Sequence, residues 1–425
     1  MPVALNEFEL PVTKVNEPMI LRAKCVLPMD QPPIEDGAVA IEGDTIVAVG
    51  KSAEIRAAHS GEVRDLGERV LAPGLINAHC HLDYTRLRGE VEYRGSFTEW
   101  ILQLVAAKQL HPDKEYVGGI QRGIEWLTRS GTTTIVNIES FPALIDQVVP
   151  TKLRVWWCLE LMDFNRSEEA KAAATGALEF IATHSVARGG FGFSPHAPYT
   201  ASGELYRLCA QYAYGRNIPL TTHLAESEEE DEMIRRGTGH MYDYFTLAGR
   251  DMSDCKRAGP TQLMSEYGVL GPHCIAAHVN YLTPVEVALL KQSGTHVVHC
   301  PKTHRFFNRG MPPLTIWKAQ GINVCLGTDS MASNDNLSML DEMQTLGQMF
   351  PHMSAEELLE FATVNAAKAL NQGEKLGKIA GGAWADLIAV PLEIAGSDPY
   401  EAVVYADKKV SFSMVGGEVV FDEAK

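Results

Sequence analysis

Between residues 71 and 330 the chain repeats one device. A short continuous apolar run ends in polar or ionisable residues and is followed by a segment with helical spacing. The runs are LAPGLINAHCH (71–81), TTTIVNIES (132–140), LRVWWCLELM (153–162), GFGFSPHAP (190–198), IPLTTHLAES (218–227), CIAAHVNYL (274–282), HVVHCPKTH (296–304) and INVCLGTDS (322–330). EEAKAAATGALEFIATH (168–184) and PVEVALLKQSG (284–294) read as two of the intervening helices. Continuous apolar strands alternating with helices predict a parallel sheet covered on both faces. Eight repeats predict closure into a (β/α)8 barrel, whose C-terminal strand ends build the active site.

The two ends of the chain read differently. PMILRAKCVLPM, GAVAIEGDTIVAVG and VRDLGERVLAP near the start, and WADLIAVPLEIA and EAVVYADKKVSFSMVGGEVVF near the finish, are short apolar runs separated by turn residues. Neither end holds enough strands for a core of its own. We expect them to combine into one small β-sandwich, residues 1–72 plus 376–425, beside a barrel of residues 73–375.

Composition narrows the function classes. Of 425 residues, 45% are hydrophobic and 21% charged, which is ordinary for a folded chain. Acidic residues outnumber basic ones 54 to 37, so a polyanionic partner such as nucleic acid or anionic lipid is not expected. No run of about 18 apolar residues predicts a membrane span. The first residues, MPVALNEFELPVTKVNE, do not read as a secretory leader, and the 8 cysteines form no CxxC pair and read as buried free thiols. A cytoplasmic location is the expectation.

Histidine, at 14 copies, changes the picture. His79 and His81 stand two apart at the end of the first run, where the period of a strand turns both imidazoles to one face. Two imidazoles held close together suit a zinc or iron(II) ion. His223 in TTHLAES, Glu226 three residues later, His278 in AAHVNYL and Asp329 in LGTDS end further runs. Singly, His278 reads equally well as a core histidine and Asp329 as a helix cap. Together they require repeated coincidences at the same end of four strands, and a metal site is the simpler account.

The succession HxH, SPHAPYT, THLAES, AAHV and GTDSMASNDNLSML resembles the amidohydrolase superfamily, in its mononuclear deaminase and chlorohydrolase branch. That resemblance implies a distorted (β/α)8 barrel in which His79, His81, His223 and Asp329 hold one divalent ion, Zn²⁺ or else Fe²⁺. It also implies that Glu226 and His278 are catalytic, Glu226 carrying a proton and His278 orienting the attacking water. Asp329 would combine metal binding with a second proton transfer. No lysine occurs in GFGFSPHAP, where dinuclear relatives commonly carry a bridging one. The HxE and PCxxC pattern of the unrelated cytidine deaminases is absent.

Substrate contacts are expected from His196 and Tyr199 of SPHAPYT, from Trp100 of SFTEWI and from His304. The last stands in CPKTH where the family commonly has asparagine. Nine residues beyond Trp100 stands Gln109, where adenosylhomocysteine deaminases typically place an acid, and the arginine some of them use for the homocysteine carboxylate is not apparent along RVWWCLELMD. The SFTEWI segment and the long acidic stretch after THLAES are more similar to aminodeoxyfutalosine deaminases. The acidic run ESEEEDE (226–232) reads as a solvated helix face.

The resulting expectation is hydrolytic deamination of an aminopurine nucleoside, releasing ammonia from a small amino-heterocycle. A chlorohydrolase or other hydrolase of triazine, pyrimidine or guanine-like rings is the alternative, and a catalytically inactive structural barrel is a third reading. A homodimer is the commonest symmetric assembly for such a chain.

Overall fold

The structure, a computed structural model, describes residues 18–148, 150–392, 397–405 and 410–424; the leader reading of residues 1–17 lies outside them. The central sheet is built from β1 (Leu75–His81), β2 (Thr132–Glu139), β3 (Arg154–Leu161), β4 (Gly189–Pro195), β5 (Leu220–Leu224), β6 (Cys274–His278), β7 (His296–His299) and β8 (Val324–Leu326). Neighbours in this order pair in parallel. After a break at Gly327–Thr328, β8 resumes as Asp329–Ser330, which pairs in parallel with β1 through Asp329↔Cys80 and Ser330↔His81. The eighth strand therefore leans on β7 with its first half and on β1 with its second, and the ring closes.

The barrel is uneven elsewhere too. β4 and β5 share only the register Leu220↔Phe193, and a single bond from His223 N to the His196 carbonyl (2.9 Å) extends it. Ile76 and Ala78 of β1 meet Trp156, Cys158, Val298 and Cys325 from β3, β7 and β8 in one apolar cluster. Strands on opposite sides of the ring can meet only across its interior, so the cluster fills the barrel. The helix Val364–Ala369 contributes Ala366, Ala367 and Ala369 to it. A larger cluster joins strands to the surrounding helices, including Tyr116, Tyr206 and Trp317. All 8 cysteines are buried and free, as the apolar settings of Cys80, Cys158, Cys274, Cys300 and Cys325 predicted for those five.

The chain ends form a separate eight-stranded sheet. Met19–Val26 lies between Ile34–Glu42 and Arg69–Pro73, and Arg69–Pro73 pairs antiparallel with Leu387–Pro391 from the C-terminal side. Leu21, Val39, Ile46 and Leu71 share an apolar core with Ile379, Leu387, Phe412 and Met414. Instead of two stacked sheets, one hydrogen-bonded sheet bends over its own core, with Thr45 bridging to Trp384. The reason lies in the Arg69–Pro73 to Leu387–Pro391 pairing, which joins the N- and C-terminal strands edge to edge. Among the described residues no helix is long and apolar enough to cross a membrane.

One buried ion pair ties this sheet to the barrel. Arg154 at the start of β3 donates from Nε and Nη2 to the Asp386 carboxylate at 2.8 and 3.0 Å, and its guanidinium lies 3.8 Å from the centre of the Trp384 ring. Asp386 also accepts the Gly416 N–H at 2.7 Å. Removing one partner of such a pair strands a buried charge at a cost of about 3–5 kcal/mol. Asp386→Ala should therefore lower the unfolding free energy read from a urea titration by an amount in that range. A midpoint equal to that of the unmodified protein would show that the two sheets do not depend on this contact.

Candidate active site

Two strand ends and the barrel closure converge on one point. His79 and His81 of β1, His223 of β5 and Asp329 of the resumed β8 each offer a ligand atom, and these atoms lie within 4.8 Å of one another. The two-residue spacing of the first pair does not by itself bring the imidazoles together. The register of β1 slips between Asn77 and Cys80, and the rings meet edge to face with centroids 5.1 Å apart.

The donor chemistry fits a cation. Burial pushes His79, His81 and His278 well below the usual histidine pKa, so their imidazoles are neutral and carry lone pairs. His223 donates from Nδ1 to the His196 carbonyl at 3.0 Å, which leaves its Nε2 bare. That atom stands 3.2 Å from His81 Nε2. Two ligands of one tetrahedral ion, at metal–nitrogen distances of about 2.0–2.1 Å, lie about 3.3 Å apart. Both ring nitrogens of His79 and Nδ1 of His81 are buried without a partner among the described residues. Asp329 Oδ1 completes the group, 3.7 Å from His79 Nε2 and 3.8 Å from His81 Nε2. Its carboxyl is pushed up to about 6, by burial first and then by the Glu226 charge.

Glu226 and His278 stand beside this set. His278 Nε2, also without a hydrogen-bond partner, lies 3.7 Å from Glu226 Oε2 and 4.0 Å from Asp329 Oδ2. The backbone that aims these groups is bent into the left-handed region, unusual outside glycine, at Ala225 (φ 48°), His278 (φ 72°), Val279 (φ 51°) and Asp329 (φ 56°). Surrounding hydrogen bonds hold it there. Glu230 accepts the N–H groups of Ala225 (2.9 Å) and Glu226 (2.7 Å), and Ser330 N donates to Asp329 Oδ1 (2.7 Å).

A cavity opens over the ligand set. Phe97, Trp100, Ile101, Leu104 and Val105 of the helix Phe97–Lys108 form one wall; Met162, Phe164, Tyr244 and Phe245 face it, and His196, Tyr199, Thr200 and Glu226 complete the lining. Three expected substrate residues, His196, Tyr199 and Trp100, thus reach the cavity. His304 does not. β7 stops at His299, Pro301 opens the helix Pro301–Phe306, and His304 within it pairs through Nε2 with the Gly310 carbonyl. Proline at the first helical position ends the strand five residues before the histidine.

Several residues here escaped the sequence reading. Tyr84 stacks on His81 at 5.1 Å; its hydroxyl accepts from Lys108 Nζ (2.8 Å) and pairs with Ser140 Oγ (3.1 Å), which donates to Glu160 Oε2 (2.5 Å). Arg309 donates from Nη2 to Glu226 Oε1 at 3.0 Å. The acidic run is not merely a solvated face. Glu230 is fully buried, and Glu229 accepts the Phe97 and Thr98 N–H groups at 2.7 and 3.1 Å, capping the cavity helix from across the site. A signal for the wall existed: the apolar positions 97, 100, 101, 104 and 105 recur at helical spacing.

Neutral histidines and an aspartate at the C-terminal strand ends of a parallel barrel, with a carboxylate beside them and a cavity above, define a metal-dependent hydrolase. Comparison with known proteins specifies which. The chain belongs to the amidohydrolase family, whose model matches residues 70–420. A shorter model, the bacterial imidazolonepropionase-like composite domain, matches residues 37–59 in the terminal sheet. The 5-methylthioadenosine/S-adenosylhomocysteine deaminase of Pyrococcus furiosus is 31% identical over 95% of this chain and 94% of its own. The aminodeoxyfutalosine deaminase of Deinococcus radiodurans is 30% identical over 77% of this chain and 79% of its own. The crystal structure of a Xanthomonas campestris adenosine deaminase with bound zinc superposes with a TM-score of 0.80 at 24% identity, covering 95% of this chain and 93% of the other.

The site predicts that the protein, stripped by chelator and dialysed against Zn²⁺, takes up one ion per chain and melts at a higher temperature than the stripped form. Elemental analysis and a thermal scan check this. Asp329→Asn and His223→Ala should each lower the stoichiometry, and full occupancy in both would exclude this ligand set.

Proposed function

We propose that the chain is a zinc-dependent deaminase of adenosine derivatives, replacing the exocyclic amino group of an aminopurine nucleoside by oxygen and releasing ammonia. The observation that carries the reading is the stack at the barrel mouth: four potential ligands, then the pair Glu226 and His278, then an aromatic wall including Phe97 and Trp100. An aromatic wall suits the flat face of a base. The names of the similar proteins point the same way. In this reading His79, His81, His223 and Asp329 hold the ion.

When bound, such an ion supplies a Lewis acid that makes water a nucleophile near neutral pH. The residues of the chain do the rest. Glu226 takes the first proton from the attacking water and delivers it to the ring nitrogen next to the reacting carbon, drawing electrons from that carbon. His278, 3.7 Å from the Glu226 carboxylate, donates to the incoming oxygen and stabilises its developing charge. Asp329 takes the second proton and passes it to the amino group, which leaves as ammonia when the C–N bond breaks. His196, Tyr199 and Trp100 contact the substrate from the cavity walls.

The remaining readings belong to the same proposal. Residues 73–375 form the catalytic barrel and residues 1–72 with 376–425 the composite β unit. The protein works in the cytoplasm as a homodimer, on a small molecule and without nucleic-acid or membrane partners, in keeping with its excess of acidic residues.

A deamination screen tests the reaction. Adenosine, methylthioadenosine, adenosylhomocysteine, aminodeoxyfutalosine, guanine, cytosine and a chlorinated alkylamino-triazine are offered to the zinc-loaded protein, and ammonia, chloride and alkylamine are measured. Ammonia release from at least one adenosine derivative is expected; chloride or alkylamine release from triazines instead would favour the chlorohydrolase reading. Glu226→Gln should abolish turnover and leave one ion bound, and loss of the ion in that variant would overturn the role given to Glu226.

A further inference from the structure

Among the described residues, one side chain donates a hydrogen bond to the Glu226 carboxylate, and it comes from a distant part of the chain. Arg309 Nη2 lies 3.0 Å from Glu226 Oε1, and both side chains are more than nine-tenths buried. The guanidinium is fixed from two sides, 4.5 Å from the centre of the Phe307 ring and 5.4 Å from that of Phe97. Its backbone is fixed as well: Arg309 N donates to the His304 carbonyl at 3.2 Å, Asn308 before it takes a left-handed φ of 50°, and His304 Nε2 holds the Gly310 carbonyl after it.

The need for such a contact follows from the geometry. Glu226 lies beyond the end of β5, on a turn pinned from below by Glu230. That pin fixes the backbone but leaves the three side-chain torsions of Glu226 free. His278 at 3.7 Å is too distant for a strong hydrogen bond. A planar guanidinium held between aromatic rings can fix a carboxylate oxygen in a way that a flexible ammonium cannot.

We infer that Arg309 is a positioning residue of the reaction: it holds the Glu226 carboxylate in the orientation from which the proton is carried, and it acts through Glu226 without touching the substrate. The inference rests on the reading of Glu226 as proton carrier. It also assigns His304 a purpose. The histidine anchors the turn that carries Arg309, and does not contact substrate.

The test is a set of Arg309 variants in the zinc-loaded protein, with ammonia release measured on the best substrate of the screen. Misplacing a reacting group by about 1 Å costs on the order of 100-fold, and that is the expected loss of kcat in Arg309→Met. KM should stay within about threefold, because Arg309 itself does not line the cavity and methionine keeps an apolar neighbour for Phe97. Arg309→Lys keeps the charge without the fork and should fall between the two. In Arg309→Ala, added guanidinium well below denaturing concentrations should restore part of kcat. If Arg309→Met does not fold, Arg309→Lys and the guanidinium rescue decide. An unchanged kcat in these variants, or a rise in KM with kcat intact, overturns the inference alone. A wild-type protein that releases no ammonia from any substrate overturns the proposed reaction and the inference with it.

Discussion

The site depends on how the barrel closes. Its eighth strand cannot run straight from β7 to β1; it pairs with β7 as far as Leu326, breaks, and resumes beside β1. Gly327 stands at the break. A Cβ there would meet the His79 backbone and Cβ at 2.7–2.9 Å, so the crossing requires a residue without a side chain. Asn77 then stitches the two strands, donating to Thr328 Oγ1 at 2.7 Å and accepting the Thr328 N–H at 3.1 Å, while the same N–H reaches the His79 carbonyl. One residue later Asp329 turns through a left-handed φ and presents its carboxylate to His79 and His81. The stitch that completes the ring is also what brings the fourth ligand to the first two.

That arrangement concentrates polar groups where water is excluded. Buried imidazoles lose their tendency to protonate, and buried carboxyls rise, because neither charge is solvated. His79, His81 and Asp329 all move in the direction of the neutral form. Ring nitrogens with no partner are costly in an apolar interior. A cation at this point removes the cost for His79 Nε2. Left-handed backbone at Ala225, His278, Val279 and Asp329 is a second expense at the same spot, and the hydrogen bonds from Glu230 and Ser330 are what sustain it.

The sequence made the strand ends legible because they combine two local signals, a continuous apolar run and an abrupt ionisable terminus. His79, His81, His223, Glu226, His278 and Asp329 all sit at such boundaries, and all gather at one point. His304 was misplaced by the same reasoning: HVVHCPKTH looks like one run, but Pro301 turns the chain into a helix after His299. Arg309 and Lys108 carry no signal in their neighbourhoods. Each becomes meaningful only through a partner far along the chain, Glu226 across 83 residues and Tyr84 across 24, and pairing across such distances is set by tertiary packing. The acidic run was misread for a related reason. Five consecutive acids at 228–232 look like a helix surface, yet helical spacing sends Glu230 inward and Glu229 sideways.

That sideways residue links chemistry to recognition. Glu229 accepts the first N–H groups of the helix Phe97–Lys108, groups that no intrahelical partner can satisfy. A carboxylate at a helix N-terminus is also favoured by the helix dipole. The next residue, Glu230, holds the backbone of Glu226. The cavity wall and the carboxylate beside the ligands are thus hung from adjacent residues of one short helix, Glu228–Arg236, with Phe97 packed between Trp100 and the Arg309–Phe307 pair. The placement of the cavity wall and that of the Glu226 carboxylate are therefore tied together through two adjacent carboxylates of that helix.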